Sequence, residues 1–349
     1  MTTRSCAAVS VVALMLMTAP FSAWAGPGDE PLEGTLLTSG LQGSIGGTIG
    51  PDHALYVPQG VPGEITRIDV ATGAQSTFAN GLPKAVIGIG GPMDIAFIGR
   101  TAYVLVSLVG DPLLGATAPD GIYRINRDGS NELVVDLGEF NVANPPPLGS
   151  LDPTPPGKFN YFLVNGVQYA LQRSGDGLLV SDGHLNRVLR VTRRGISIVR
   201  SFGDVVPTGM ATAAGRLYLA RTGAIVGPPG AQQEIGDIVS FRLHHAHGVA
   251  TIASDISMAI DVEFGPRGRL YALSQGKFGG GNPGDPAEPE TGQLLRVNDD
   301  GTTTVLADGI NLPTSLHFIG NTALVVTLAG EVWKFDVSRC ERGDHGRRW

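Results

Sequence analysis

The chain has 349 residues, 42% of them apolar, with 50 glycines, 24 prolines and a formal net charge of −7. That apolar share excludes a disordered polar chain, and the acidic balance leaves no basic stripe to hold nucleic-acid phosphates. Two cysteines, Cys6 and Cys340, are too few for a disulfide framework.

Residues 1–25 read as a secretory signal peptide. Arg4 supplies the positive start, Cys6 to Met17 is apolar but too short to cross a bilayer, and Ala23-Trp24-Ala25 offers a small-x-small cleavage pattern. The expectation is an exported protein, periplasmic or extracellular, with no membrane span in its mature chain. Cleavage leaves 24 basic against 32 acidic residues, a net charge of −8, with Cys340 the sole cysteine.

Beyond the signal peptide one phrase is written six times: a tight turn, a short apolar strand, then a second strand with a basic or polar residue inside it. The copies are Leu55-Tyr56-Val57 with Ile65 to Ile68, Ala102-Tyr103-Val104 with Ile122 to Ile125, and Leu178-Leu179-Val180 with Val188 to Val191. They continue as Leu217-Tyr218-Leu219 with Ile238 to Phe241, Leu270-Tyr271-Ala272 with Leu294 to Val297, and Ala323-Leu324-Val325 with Val332 to Phe335. Equivalent positions lie 47 residues apart from Tyr56 to Tyr103, 39 from Leu179 to Tyr218, and 53 for each of the next two steps. A repeat of roughly 40–50 residues with four short strands is a β-propeller blade. The predicted fold is all-β: a six-bladed β-propeller of four-stranded blades over residues 26–337, with 338–349 as a flexible C-terminal tail. A monomer is expected. The step from Tyr103 to Leu179 is 76 residues, so a Pro- and Asn-rich insertion around 141–157 separates the second and third blades. No stretch shows helical periodicity over several turns.

The last copy ends at Trp333-Lys334-Phe335-Asp336 with no outer strand after it. Near the start, Thr35 to Leu41 resembles Thr304 to Ile310 at the end of the fifth copy. The N-terminal segment is therefore expected to supply the fourth strand of the last blade and close the ring, which removes two free strand edges.

With strands named a to d from the axis outward, the a–b and c–d turns share one face and the b–c and d–a connections share the other. The a–b turns are tight, as at Gly50-Pro51-Asp52 and Gly175-Asp176-Gly177. The long segments 107–120, 221–235 and 275–292 are b–c loops, and 141–165 is a d–a connection. Insertions gathered on one face mark it as the binding face for a small molecule or a protein.

Aligning the a strands puts Gly46, Asp94, Gln168, Gly209, Asp261 and Ser315 at one inward position, and Thr48, Ala96, Ala170, Ala211, Glu263 and His317 two residues further in. Asp182 ends a strand b towards the same rim. Asp94, Gln168, Asp182, Ser315 and His317 are the ligand-facing candidates. Asp94, Asp261 and Glu263 form a candidate oxygen-rich metal site, for which Ca²⁺ is the suited ion. Such a site could polarise a lactone or ester carbonyl with His317 or a carboxylate as base. The plainer reading is a water-filled channel with solvated polar groups, Asp94 bonding backbone through a local turn.

Other patterns are weak. His244-His245-Ala246-His247 falls in a c–d turn, Gly276 to Gly281 lacks P-loop spacing, and no Gly-x-Ser-x-Gly elbow exists.

Val180-Ser-Asp-Gly-His-Leu-Asn-Arg-Val188 resembles the strand–turn–strand phrase of NHL repeats. Gly91-Pro-Met-Asp-Ile-Ala-Phe97, Thr101 to Val106 and Gly81-Leu82-Pro83, with the export signal, resemble the exported ScyD/ScyE-type family. The third blade departs from that pattern at Val164 to Tyr169. The resemblance implies an exported NHL-like propeller and carries over no catalytic residue. Three functional readings result: a binding propeller, a metal-dependent lactonase-like hydrolase, and, last, a quinone-dependent sugar dehydrogenase, which the acidic channel disfavours.

Overall fold

The structure is a computed structural model that describes residues 30–146, 163–203, 205–223, 235–243, 248–280 and 284–340. The predicted signal peptide, the His244–His247 turn, most of the 221–235 loop and the end of the tail lie outside these residues.

Among the described residues 24 strands form six four-stranded antiparallel sheets. Each sheet is one blade, and every innermost strand packs against those of both neighbours, the sixth against the first included. The inner strands are Thr48–Ile49, Gly91–Ile98, Gln168–Ser174, Pro207–Ala213, Ala259–Phe264 and Pro313–Ile319. The b strands are the apolar runs of the repeated phrase, and they are covered on both sides. Leu55–Gln59, Gly177–Asp182 and Leu270–Ser274 are buried at every residue. The outer d strands carry polar residues where they meet water, as in the largely exposed Gln75–Ala79.

Ring closure is as expected. Thr35–Thr38 pairs antiparallel with Val332–Asp336, placing Thr35 opposite Lys334 and Leu36 opposite Trp333. Deleting residues 30–38 would bare the edge of the last blade. The expected outcome is a melting temperature lower by ten degrees or more, on the order of 3–5 kcal/mol, with concentration-dependent aggregation. Calorimetry beside light scattering checks it.

Strand a of blades 2 to 6 breaks register at the same height, between Pro92/Asp94, Gln168/Ala170, Pro207/Met210, Ala259/Asp261 and Pro313/Ser315. A bulge adds one residue and re-aims side chains. Here it turns the residues beside the break towards the axis.

Two local expectations need correction. The insertion between blades 2 and 3 begins with an α-helix, α1, Leu137–Ala143, capped by Asp136, whose side chain accepts from the Glu139 N–H. Cys340 is not loose tail: it packs against the cluster holding Phe335 and Val337, its N–H bonds the Val337 carbonyl, and its own carbonyl accepts from Arg296 at 2.9 Å.

Candidate functional site

Strand a carries chemistry to the axis. Pairing with strand b fixes equivalence: Asp94, Asp261 and Ser315 sit opposite Leu105, Leu273 and Val326, and Ala170 sits opposite Ser181. The third blade is therefore two residues out from the sequence alignment. Ala170 and Gln172 occupy its inward positions, and Gln168 does not.

Gln168 and Asp182 are fully buried in a polar network and face no solvent-filled channel. The Asp182 carboxylate accepts from Asn141 Nδ2 at 2.6 Å and from the Leu185 N–H at 3.1 Å. Gln168 bonds Ser107 Oγ and the Asn165 carbonyl. Arg187, 1% exposed, donates to Asn141 Oδ1 at 2.6 Å and the Asn144 carbonyl at 2.7 Å. This network fastens α1 to blade 3. Burial holds the Asp182 carboxyl above its ordinary range and the Arg187 guanidinium below its own.

The channel acids are inter-blade ties. Asp94 Oδ1 accepts from the Gly47 N–H of blade 1 at 3.0 Å and from the adjacent Ile95 at 2.8 Å; Oδ2 accepts from the Leu171 N–H of blade 3 at 2.7 Å. Asp261 repeats the device three blades on, accepting from Val262 and from the Leu316 N–H of blade 6, both at 2.8 Å. Each aspartate reaches past a glycine of the preceding blade. A Cβ on Gly46 would lie 2.6 Å from Asp94 Cγ, and one on Gly209 would lie 2.6 Å from Asp261 Cγ. Asp94 thus bonds its own neighbour, as the plainer reading had it, and two other blades besides.

Glu263 and His317 lie one step further along the channel. Glu263 accepts from the Phe264 N–H at 2.8 Å, and His317 Nε2 is 3.1 Å from Ser315 Oγ. Burial pushes Asp94 up to about 8, Asp261 to about 7 and Glu263 to about 8, and presses His317 down to about 4. A carboxyl raised in the fold contributes stability that is complete below its unfolded value and lost as pH rises through the folded one. A depressed histidine adds stability at high pH and loses it as pH falls from 6.5 towards 4. Three raised carboxyls outweigh one depressed histidine, so the maximum melting temperature is expected near pH 4, with a decline from there through neutral into alkaline pH that is complete by about pH 8 to 9. Glu263→Gln should flatten that alkaline decline; identical profiles would refute the assignment.

The channel cavity is about 50 Å³, lined by Asp94, Tyr169, Asp261, Glu263 and His317 among others. That is room for one or two waters. Among the described residues no three His, Cys, Asp or Glu side chains are grouped to hold one metal ion. The oxygens of Asp94 and Asp261 instead point at backbone N–H groups, so the carboxylates of the candidate metal site are spread over separate hydrogen bonds.

The loop-rich face offers more space. A pocket of about 420 Å³ opens beside α1, lined by Ala118, Asp120, Asp136, Glu139, Val142 and Asn165 with others. Asp120 is held by the Val109 and Gly110 N–H groups and by Asn165 Nδ2. Sequence reasoning placed loops here but missed the helix that walls the pocket. Exposed aliphatic side chains also gather in these connections: Val61, Val86, Ile87, Ile89, Val206 and Ile235. Val61 and the 84–90 segment are neighbours, since the Ala85 N–H bonds the Gly60 carbonyl at 2.9 Å.

No protein-family profile and no curated protein matches the chain. Its fold is that of solved six-bladed propellers. A calcium-binding regucalcin from Agrobacterium tumefaciens aligns at TM-score 0.58 and 12% identity, over 87% of this chain and 94% of the other. A gluconolactonase from Xanthomonas campestris aligns at 0.56 and 13%, over 87% and 89%. An aldose sugar dehydrogenase from Streptomyces coelicolor, in its PQQ-bound form, aligns at 0.56 and 13%, over 88% and 99%. Among the described residues no helix is long and apolar enough to cross a membrane.

Proposed function

We propose that this protein is an exported binding propeller of ScyD/ScyE type that takes a small molecule or a partner protein on its loop-rich face. The observation that carries this reading is the contrast in space. The pocket beside α1, at about 420 Å³, has the size of ligand sites, whereas the channel, at about 50 Å³, has not. Aliphatic side chains exposed on the same face extend the contact surface. The test is a melting-shift screen of wild type against Thr117→Trp, which fills the pocket from an exposed position. Ligands that raise the wild-type melting temperature by several degrees and leave the variant unmoved place the site there. Equal shifts in both proteins sink the pocket.

A second reading, a Ca²⁺-dependent lactonase-like hydrolase, is favoured by one observation: Asp94, Asp261, Glu263 and His317 line a single cavity. It requires a bound ion among groups already engaged with backbone. Metal content, with melting in Ca²⁺ and in chelator, separates the two. The binding reading expects no stoichiometric ion and no shift.

A further inference from the structure

Strand a of each blade runs from the loop-rich face to the tight-turn face, so residue order along it is depth along the channel. The first layer is Tyr169 of blade 3 and Thr314 of blade 6. These blades stand opposite each other, yet the Tyr169 hydroxyl donates to the Thr314 carbonyl at 2.9 Å. The ring packs against the cluster of Ile45 and Met93 on one side and that of Ile260 and Leu316 on the other. Tyr169 therefore spans the ring, and the bulge between Gln168 and Ala170 aims it there.

Exposure below this bar runs the wrong way for a site that opens at the long loops. The next layer, Gly46, Asp94, Ala170, Gly209, Asp261 and Ser315, is buried. In the layer after it Ala96 and Ala211 are buried, but the polar members Thr48, Gln172, Glu263 and His317 are half-buried. Among the polar side chains, exposure thus rises towards the tight-turn side.

We propose that the channel is a blind pit that opens on the tight-turn face and is closed at the loop-rich mouth by Tyr169. Glu263, His317, Gln172 and Thr48 are its walls, Asp94 and Asp261 its base. At about 50 Å³ it takes water or a guest of ammonium size, and nothing bound at the long loops reaches its acids. This assignment is independent of what the loop-rich face binds.

The test plugs one end. In Thr48→Cys the introduced thiol is coupled to a bulky biotin-maleimide, and reaction of the His317 ring with D2O, exchange of its Cε1–H for deuterium, is followed by peptide mapping. Wild type, with the same maleimide on Cys340, is the control. His317 should react in the unplugged Thr48→Cys protein, and its rate should fall at least tenfold after plugging. Tyr169→Ala in the plugged protein should restore the rate by opening the second route. If that variant fails to fold, the plugging arm decides alone. A Thr48→Cys thiol that refuses the label, an unplugged His317 that does not react, or a plugged protein that reacts at the unplugged rate would each overturn the proposal. So would a folded, plugged Tyr169→Ala protein that stays unreactive.

Discussion

Asp94→Ala is expected to cost about 3–5 kcal/mol of stability and roughly 10 °C in melting temperature. The change strands three buried N–H groups, those of Gly47, Ile95 and Leu171, which belong to three different blades. Each orphaned donor carries a desolvation penalty of about 1–3 kcal/mol, relieved in part if water enters the vacated space. Asp94→Asn should fall between. Its amide oxygen can keep the Gly47 and Ile95 bonds, but its NH₂ group would then face the Leu171 N–H. Glu263→Gln, with one backbone partner, should move the melting temperature far less. Melting curves of the three variants at one pH decide the matter. If Asp94→Ala melts within about two degrees of wild type, Asp94 is not a tie.

Arg187→Ala should be comparably severe, about 3–5 kcal/mol, by another route. The guanidinium lies 3.9 Å from the Asp182 carboxylate and is bonded to two groups of α1 and its C-terminal end. Removing it leaves a buried acid without its counter-charge and α1 without its anchor. The double variant Arg187→Ala/Asp182→Asn should recover part of the loss, since the uncompensated charge is gone. Protease digestion offers an independent readout: cleavage near residues 137–146 should rise before the blades unfold. Equal losses in single and double variants would show that packing over Phe140, 5.9 Å from the guanidinium, outweighs charge.

The repeated strand phrase was legible because each copy is local, an apolar run between tight turns. The closing strand was legible because Thr35 to Leu41 resembles the end of another copy. What failed was register. In the third blade a bulge falls where the phrase already departs from its siblings, and inward positions slid by two residues, from Ala170 and Gln172 to Gln168 and Ala170. Helix α1 is seven residues long, too short to show a period over several turns. The remaining features rest on partners far apart in sequence: Arg187 with Asn141, Asp94 with Leu171, Tyr169 with Thr314. No local pattern announces such pairs. One signal was present, since a glycine stands at the inward position of the blade before each aspartate: Gly46 before Asp94 and Gly209 before Asp261.

The two aspartate ties also divide the molecule. Asp94 joins blades 1, 2 and 3, and Asp261 joins blades 5 and 6 past the glycine of blade 4. Among the described residues no carboxylate crosses from blade 3 to blade 4, where the polar contacts near the axis are Gln172 Nε2 to Thr212 Oγ1 at 3.5 Å and Thr212 Oγ1 to the Arg173 carbonyl at 3.4 Å. Among the same residues blades 4 and 5 also lack one, but Thr208 Oγ1 and Thr222 Oγ1 both donate to the Ala259 carbonyl across their seam, at 3.0 and 3.1 Å. The sixth-to-first seam is better held, by the outer closing strand and by Ser44 Oγ on the Thr327 carbonyl at 2.9 Å. Under force or heat this ring should behave as a bracelet with one clasp, and the clasp is not where the chain ends meet. It yields first between blades 3 and 4, and two arcs of three blades swing apart as cooperative units.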